Sequence, residues 1–215
     1  GAIERLNADE TVTGIMLHLP LPEGIDTPAM QWSIDPYKDI EGVNPANIGF
    51  VFYGEPIIAP CTALAVVELI DESGLNLRGA RAVVVGQGAI VGRPVSLFLT
   101  QREATVTACH IHTRDLAEHT RTADVLVVAT GKPGLITRDH VKPGAVVIDV
   151  GINRIKTTDA DGNVTSKTVG DVVFDEVKEI AGAITPVPGG VGPVTVTMLL
   201  RNTVEAARKQ MARAR

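Results

Sequence analysis

The sequence predicts an α/β protein, and three observations carry the prediction. Short β-branched runs recur at Arg81–Val85, Ala104–Cys109, Asp124–Ala129 and Ala145–Asp149, each followed by a helix-start signal or a turn. The first run ends in Gly86-Gln87-Gly88-Ala89-Ile90-Val91-Gly92, with Pro94 placed where a first helical turn tolerates proline. The composition, 45% hydrophobic and 21% charged over 215 residues, is that of a chain able to bury a real core. Runs of this kind alternating with helices mean parallel strands joined by right-handed crossovers.

Taken in order, Thr13–Leu19 reads as a short buried strand stopped by Pro20-Leu21-Pro22. A polar loop follows, centred on Lys38-Asp39-Ile40-Glu41-Gly42. Thr62 is the expected N-cap of a helix from Ala63 to about Ser73, with Gly74 just past its end. The four runs then follow, with helices after Gly92, after a capping Thr113 and after Thr137. Thr158–Asn163 has hairpin-turn chemistry. Thr185–Pro193 is too rich in Gly and Pro for a regular element. It leads into a long amphipathic helix from about Val194 to Met211, with Val196, Leu199, Leu200, Val204 and Ala207 as its expected apolar stripe.

Several function classes are excluded on composition. A net charge of −5 and scarce aromatics leave no basic, stacking surface for nucleic acid. The one basic cluster, Arg208–Arg215, reads as a helix C-terminus complementing its dipole. No apolar run reaches the length of a membrane span. Cys61 and Cys109 stand in no metal-ligand or redox spacing, as expected of buried thiols in a reducing, cytoplasmic compartment, and no metal site is expected.

Three segments suggest chemistry, each against a plainer reading. The glycine turn, G-x-G-x-x-x-G after a strand and before a helix, is where a dinucleotide pyrophosphate would meet free backbone N–H groups. The alternative is a tight turn that binds nothing. After the second run, Cys109-His110-Ile111-His112-Thr113-Arg114 offers no carboxylate for a ribose 2′-hydroxyl until Asp115, which leans towards NADP over NAD. Surface histidines are the other reading. Lys38–Gly42 reads on composition alone as a solvated face, and Pro186–Pro193 either as a rigid shelf for a planar ligand or as a stiff connector. The rest of the chain offers no acid/base triad, which suits hydride transfer, where the cofactor carries the chemistry.

The segments Gly14–Pro22, Lys38–Gly42, Pro60-Cys61-Thr62, Gly92-Arg93-Pro94, Gly131–Gly134, Val147–Asn153, Val169–Val172 and Thr185–Pro193 occur in one order. Together they resemble the bifunctional methylenetetrahydrofolate dehydrogenase/methenyltetrahydrofolate cyclohydrolase family. The resemblance implies a Rossmann-like parallel-sheet NAD(P)-binding domain over 63–193. It also implies an incomplete second α/β domain over 1–62 and 194–215, folate-binding and catalytic, closed by the C-terminal helix. It implies a cytoplasmic homodimer acting on tetrahydrofolate derivatives with NADP, NAD being the alternative. By the same resemblance Gly86, Gln87, Gly88, Ile111 and Ile152 bind cofactor. Glu41 hydrogen-bonds the pterin, and Gly189, Gly190, Val191, Gly192 and Pro193 line the folate cleft.

The chain departs from the family pattern at specific places. His18 stands where the family has the Gln that supports its catalytic lysine, Glu41 stands for an Asp, and Ala63 for the Pro of Cys-Thr-Pro. Gln87 and Gly88 replace the usual Arg or Ala then Ser. His18 is either a neutral hydrogen-bonding substitute or, protonated, a repulsive neighbour of that lysine. The lysine's Tyr-x-x-x-Lys motif has no match within these 215 residues. The expectation is that they bind NADP readily, oxidise folate weakly and show little cyclohydrolase activity. A dehydrogenase-only relative and a non-catalytic folate- or nucleotide-binding protein are the alternatives.

Overall fold

The computed structural model describes residues 1–158 and 164–213, so the turn expected over Thr158–Asn163 lies, from residue 159 on, outside the described residues. The chain divides into two compact units, Gly1–Leu64 with Thr195–Arg215, and Ala65–Val194. In chain order the elements are α1 (Ala2–Ala8), α2 (Thr27–Trp32), α3 (Pro45–Tyr53), α4 (Cys61–Glu72), β1 (Arg81–Val85), α5 (Gly92–Gln101), β2 (Thr105–Cys109), α6 (Leu116–Thr120), β3 (Val125–Val128), β4 (Val146–Asp149), β5 (Asn153–Thr158), β6 (Val164–Val169), α7 (Phe174–Val177), β7 (Ala183–Ile184) and α8 (Val191–Arg213), with a 3₁₀ turn at Arg138–His140.

The unit formed by 65–194 is built on a five-stranded parallel sheet in the order β2-β1-β3-β4-β7. The four expected strands are all present. The two-residue β7 adds a fifth that is too short to leave a periodic signal. Apart from the exposed Arg81, residues of β1, β3 and β4 are buried on both faces, so these strands read as continuous Val-rich runs. Val83, Val85, Leu126, Val128, Ile136, Val147 and Val177 form one packed core. Each such side chain contributes about 1.5–3 kcal/mol on burial. β5 and β6 pair as a separate antiparallel hairpin.

Two helix starts differ from expectation for local reasons. α4 begins at Cys61, because the Pro60 carbonyl accepts the first helical bond from Leu64, and Thr62 lies inside the first turn. Thr113 does not cap α6. Its hydroxyl accepts from the His110 N–H at 2.8 Å and closes the turn before it, while Asp115 (φ 48°) sits at the cap.

The unit formed by 1–64 and 195–215 is helical. Asp26 caps α2 and Asn44 caps α3, each accepting a backbone N–H in the first turn. The strand expected at Thr13–Leu19 reduces to one parallel bridge, Ile15 with Asp39. α8 starts at Val191, three residues earlier than the sequence suggests, and takes Gly192 and Pro193 into its first turn. Its buried side is Val191, Met198, Asn202 and Ala206, whereas Val196, Leu200 and Val204 of the expected stripe are exposed.

Candidate active site

The turn after β1 is shaped by two glycines that the fold requires. Gly86 has φ +98°, and a Cβ there would lie 2.1 Å from the Ala129 carbonyl oxygen. At Gly92 a Cβ would lie 1.8 Å from the Gly86 oxygen, so helix and strand could not close up. Gly88 is different: its φ is not in the left-handed region and nothing lies within 4 Å of where its Cβ would be. The fold has no need of glycine at 88, and the open space above it is a place for a ligand.

That space is a cavity of about 340 Å³ lined by Gly88, Ala89, Ile90, Val91, Ala129, Gly131, Val150, Gly151 and Ile152. These residues follow the carboxyl ends of β1, β3 and β4. β1 is the strand at which the order reverses, with β2 on one side and β3 on the other. In open α/β sheets ligands bind at this switch point. The start of α5 adds its dipole; in its first turn the Arg93 N–H is taken by the Gly88 carbonyl at 3.1 Å and Pro94 carries none, so the donor facing a ligand there is the N–H of Gly92. The residues present therefore fit a dinucleotide pyrophosphate.

The cavity brings together Gly88 and Ile152, the latter 72% exposed, with Gly86 at the root of the turn. Gln87 turns inward, its amide donating to the Val84 carbonyl at 3.1 Å, so that only its backbone faces the turn's outer side. Ile111 lies past the end of β2, 93% exposed and outside the cavity lining.

Two buried carboxylates, which sequence reasoning passed over, hold the cavity's far wall. Asp171 accepts from Thr130 N (2.6 Å), Thr130 Oγ1 (2.9 Å) and Gly131 N (2.9 Å) through one oxygen, and from Asn153 Nδ2 (2.8 Å) through the other. Asp149 accepts from the backbone N–H groups of Gly151, Asp171 and Val172, and burial raises its carboxyl above the usual range. Gly151 and Gly170 must be glycine because a Cβ would strike Asp171 and Asp149 respectively. The available signal was the pairing of each Asp with a neighbouring Gly at a strand end.

Thr185 extends this network, donating its hydroxyl to the Asp149 carbonyl (3.4 Å) and accepting from the Asp149 N–H (2.9 Å). It anchors the loop that leads to Gly189 (φ +103°) and Gly190, where a Cβ would meet the Pro186 carbonyl oxygen at 2.6 Å. Val191 is buried, and Gly192 and Pro193 follow it in α8.

In the other unit, the charge-dense loop 38–42 is not a solvated face. Lys38 is buried and donates to the carbonyls of Leu6, Asn7 and Asp9 at 3.0, 2.7 and 2.7 Å, which closes the C-terminal end of α1. Asp39, fully buried, accepts from Gly42 N, Asn44 N and Asn47 Nδ2 and moulds the loop. Glu41 is half-buried and accepts from the Leu17 N–H at 3.3 Å. Burial raises its carboxyl above the ordinary 4.5, and the Asp39 charge adds to that. The contact sets Glu41 beside the residue preceding His18, which is itself exposed. The Cys61 thiol close by is pushed up to about 12 by burial.

A switch-point cavity floored by a glycine turn defines the class: an α/β protein of the dinucleotide-binding kind. Comparison with known proteins makes this specific. Residues 60–211 match the tetrahydrofolate dehydrogenase/cyclohydrolase NAD(P)-binding domain, and residues 1–41 match the catalytic domain of the same family. The chain is 55% identical over 210 residues to bifunctional protein FolD 3 of Roseobacter denitrificans, covering 98% of this chain and 71% of that protein. To bifunctional protein FolD of Brevibacillus brevis it is 53% identical over 208 residues, covering 97% of this chain and 70% of that one. The Trypanosoma brucei methylenetetrahydrofolate dehydrogenase-cyclohydrolase, solved with NADP and an inhibitor, superposes with a TM-score of 0.90 at 43% identity, over 98% of this chain and 71% of that one. The chain belongs to the tetrahydrofolate dehydrogenase/cyclohydrolase family.

Proposed function

We propose that the protein oxidises 5,10-methylenetetrahydrofolate to 5,10-methenyltetrahydrofolate with NADP, and hydrolyses that product to 10-formyltetrahydrofolate. The observation that carries the reading is the Gly88 cavity at the switch point of a chain whose residues 1–41 and 60–211 match the family's two domains. NADP supplies a hydride acceptor when bound. The chain's own residues do the rest. Gly86 and Gly92 shape the turn, Gly88 and the start of α5 receive the pyrophosphate, and Ile152 covers the nicotinamide half. Ile111 flanks the adenosine ribose. Glu41 hydrogen-bonds the pterin, Gly189–Pro193 form a shelf for the folate, and His18 stands beside the water-attack step. Oxidation needs chiefly that the reacting carbons be held at near-attack distance. Hydrolysis needs a positioned group to move a proton as well.

The protein acts as a homodimer in the cytoplasm, a reading supported by the family. NAD in place of NADP is the alternative for the cofactor. The test mixes the full-length protein and methylenetetrahydrofolate with each dinucleotide and follows reduced cofactor and methenyl absorbance separately. Reduced NADP rising while methenyl absorbance stays low is the expected result. Persisting methenyl absorbance would reduce the activity to dehydrogenase alone. Absence of any cofactor reduction would overturn the proposal.

A further inference from the structure

We infer that Asn202 of α8 is a positioning residue for Glu41, fixing the loop that presents the Glu41 carboxylate to substrate. The inference rests on the proposed role of Glu41 in folate recognition and extends it to a residue on another element. Asn202 is buried on a helix whose neighbouring turns bury Met198 and Ala206, an unusual place for a carboxamide. Its Nδ2 donates to the Ile40 carbonyl at 3.0 Å, to the Ala59 carbonyl at 2.8 Å and towards the Cys61 sulfur at 3.2 Å. Two N–H bonds thus serve three acceptors drawn from two separate loops.

Those loops meet at Glu41. The Cys61 N–H donates to the Glu41 carbonyl at 3.3 Å, and the Cys61 thiol donates to the Ile40 carbonyl at 3.4 Å. Gly42 packs so closely that a Cβ there would lie 2.3 Å from the Ala59 carbonyl carbon. The residues on both sides of Glu41 are therefore clamped, and Asn202 bonds to both loops at once. A second carboxamide of α8 acts on the opposite side of the Ile15–Asp39 bridge. Gln210 donates to the Thr13 and Tyr37 carbonyls at 2.7 and 2.9 Å. Between the two grips lies the segment whose Leu17 N–H holds the Glu41 carboxylate. The peptide carbonyls at 40 and 59 need a donor, which explains an amide here. Leucine would pack but leave the Ala59 carbonyl unpaired and the Ile40 carbonyl with the Cys61 thiol alone.

The chemistry expected follows from the clamp. Without Asn202 the two loops separate, water reaches Glu41, and the carboxylate loses its aim with its chain intact. Of the titratable groups near it, Asp39 shares its loop and moves with it, and the Cys61 thiol across the parting is neutral, pushed up to about 12 by burial, so a change in the Glu41 titration reports chiefly its own hydration. Because burial now holds the carboxyl high, hydration moves it down.

The experiment compares Asn202→Ala, Asn202→Ser, Glu41→Gln and the double variant Asn202→Ala/Glu41→Gln in the full-length enzyme. Asn202→Ala is expected to raise KM for methylenetetrahydrofolate about tenfold, the effect of one lost hydrogen bond of this kind. NADP affinity should be unchanged. The acid limb of the kcat/KM profile should move to lower pH, and alkylation of Cys61 should speed up. Asn202→Ser, which keeps one donor, should fall between, and it carries the test if the alanine variant does not fold. The double variant should be no worse than Glu41→Gln alone. If the two losses simply add, or if the pH profile of Asn202→Ser is that of wild type, Asn202 does not act through Glu41. If Glu41→Gln is itself silent, the proposed role of Glu41 fails instead, and the two failures are told apart.

Discussion

Replacing Gly88 and Gly92 separately distinguishes a glycine kept for a ligand from one kept for the fold. At Gly92 an added Cβ would sit 1.8 Å from the Gly86 oxygen, over an ångström inside any tolerated contact, and the atom it strikes is backbone. Relief requires moving the start of α5 away from β1, an overpacking that costs about 1–3 kcal/mol or more. For a chain of this size each kcal/mol lowers Tm by roughly 2–4 °C. Gly92→Ala should therefore melt about 5–10 °C below wild type. At Gly88 an added Cβ meets nothing within 4 Å, so Gly88→Val should change stability by no more than about 0.5 kcal/mol. Its isopropyl group would nevertheless occupy the space above the turn. Loss of even one charge-assisted bond to a phosphate, worth about 1.5–3 kcal/mol, weakens NADP binding roughly ten- to a hundredfold. The assay pairs thermal melts with NADP titration by fluorescence. Undiminished NADP affinity in Gly88→Val, or a melt as low as that of Gly92→Ala, would refute the reasoning.

Further perturbations test the other parts. Glu41→Gln should weaken folate use roughly ten- to a hundredfold at unchanged NADP affinity, read from steady-state kinetics. The same change has a signed effect on stability. Burial raises the Glu41 carboxyl above 4.5, so its contribution is fully present below that pH and is lost as pH rises through the folded value. The glutamine variant should then melt at or above wild type at neutral pH, the gap closing towards pH 4; a widening gap on acidification would contradict the assignment. Asp171→Ala leaves the Thr130 and Gly131 N–H groups, the Thr130 hydroxyl and the Asn153 amide unpaired. It should cost about 3–5 kcal/mol by melting and lower NADP affinity. Lys38→Met removes three bonds to the end of α1. Amide exchange over Ala2–Ala8 should speed up while exchange in β1 and β3 stays slow; uniform protection would show that α1 is held by other means.

What the sequence could show depended on how each residue meets its surroundings. β1, β3 and β4 were legible because strands buried on both faces must be continuous β-branched runs, and the glycine turn because Gly86 and Gly92 have steric reasons to be glycine. α8 was legible as a helix but not in its facing. Spacing picked Val196, Leu200 and Val204, yet the buried side carries Asn202, whose burial is compensated by carbonyls from distant loops. No hydrophobic period can register a polar residue made welcome by partners 143 and 162 positions away. The loop 38–42 was misjudged in the same way. Three charges in five residues look solvated until the carbonyls at 6, 7 and 9 and the amides at 17, 42 and 44 are placed around them. Asp149 and Asp171 escaped notice because their partners are mostly backbone groups of loops, which sequence does not bring together.

The division of labour within Lys38-Asp39-Ile40-Glu41 constrains how this corner can change over time. Lys38 reaches back to α1, Asp39 turns inward to 42–47, and Glu41 reaches the strand-like segment at Leu17. Each charge addresses a different part of the chain, and the peptide between them has fixed partners at Ile40. Inserting or deleting one residue would hand every charge to its neighbour's partner, placing an ammonium against backbone N–H groups or a carboxylate against carbonyls. Loop length is therefore frozen, although loops elsewhere tolerate indels readily. The variation left open is in side-chain reach, such as one methylene more or less at position 41. Divergence in substrate handling would be recorded there as substitutions and never as gaps.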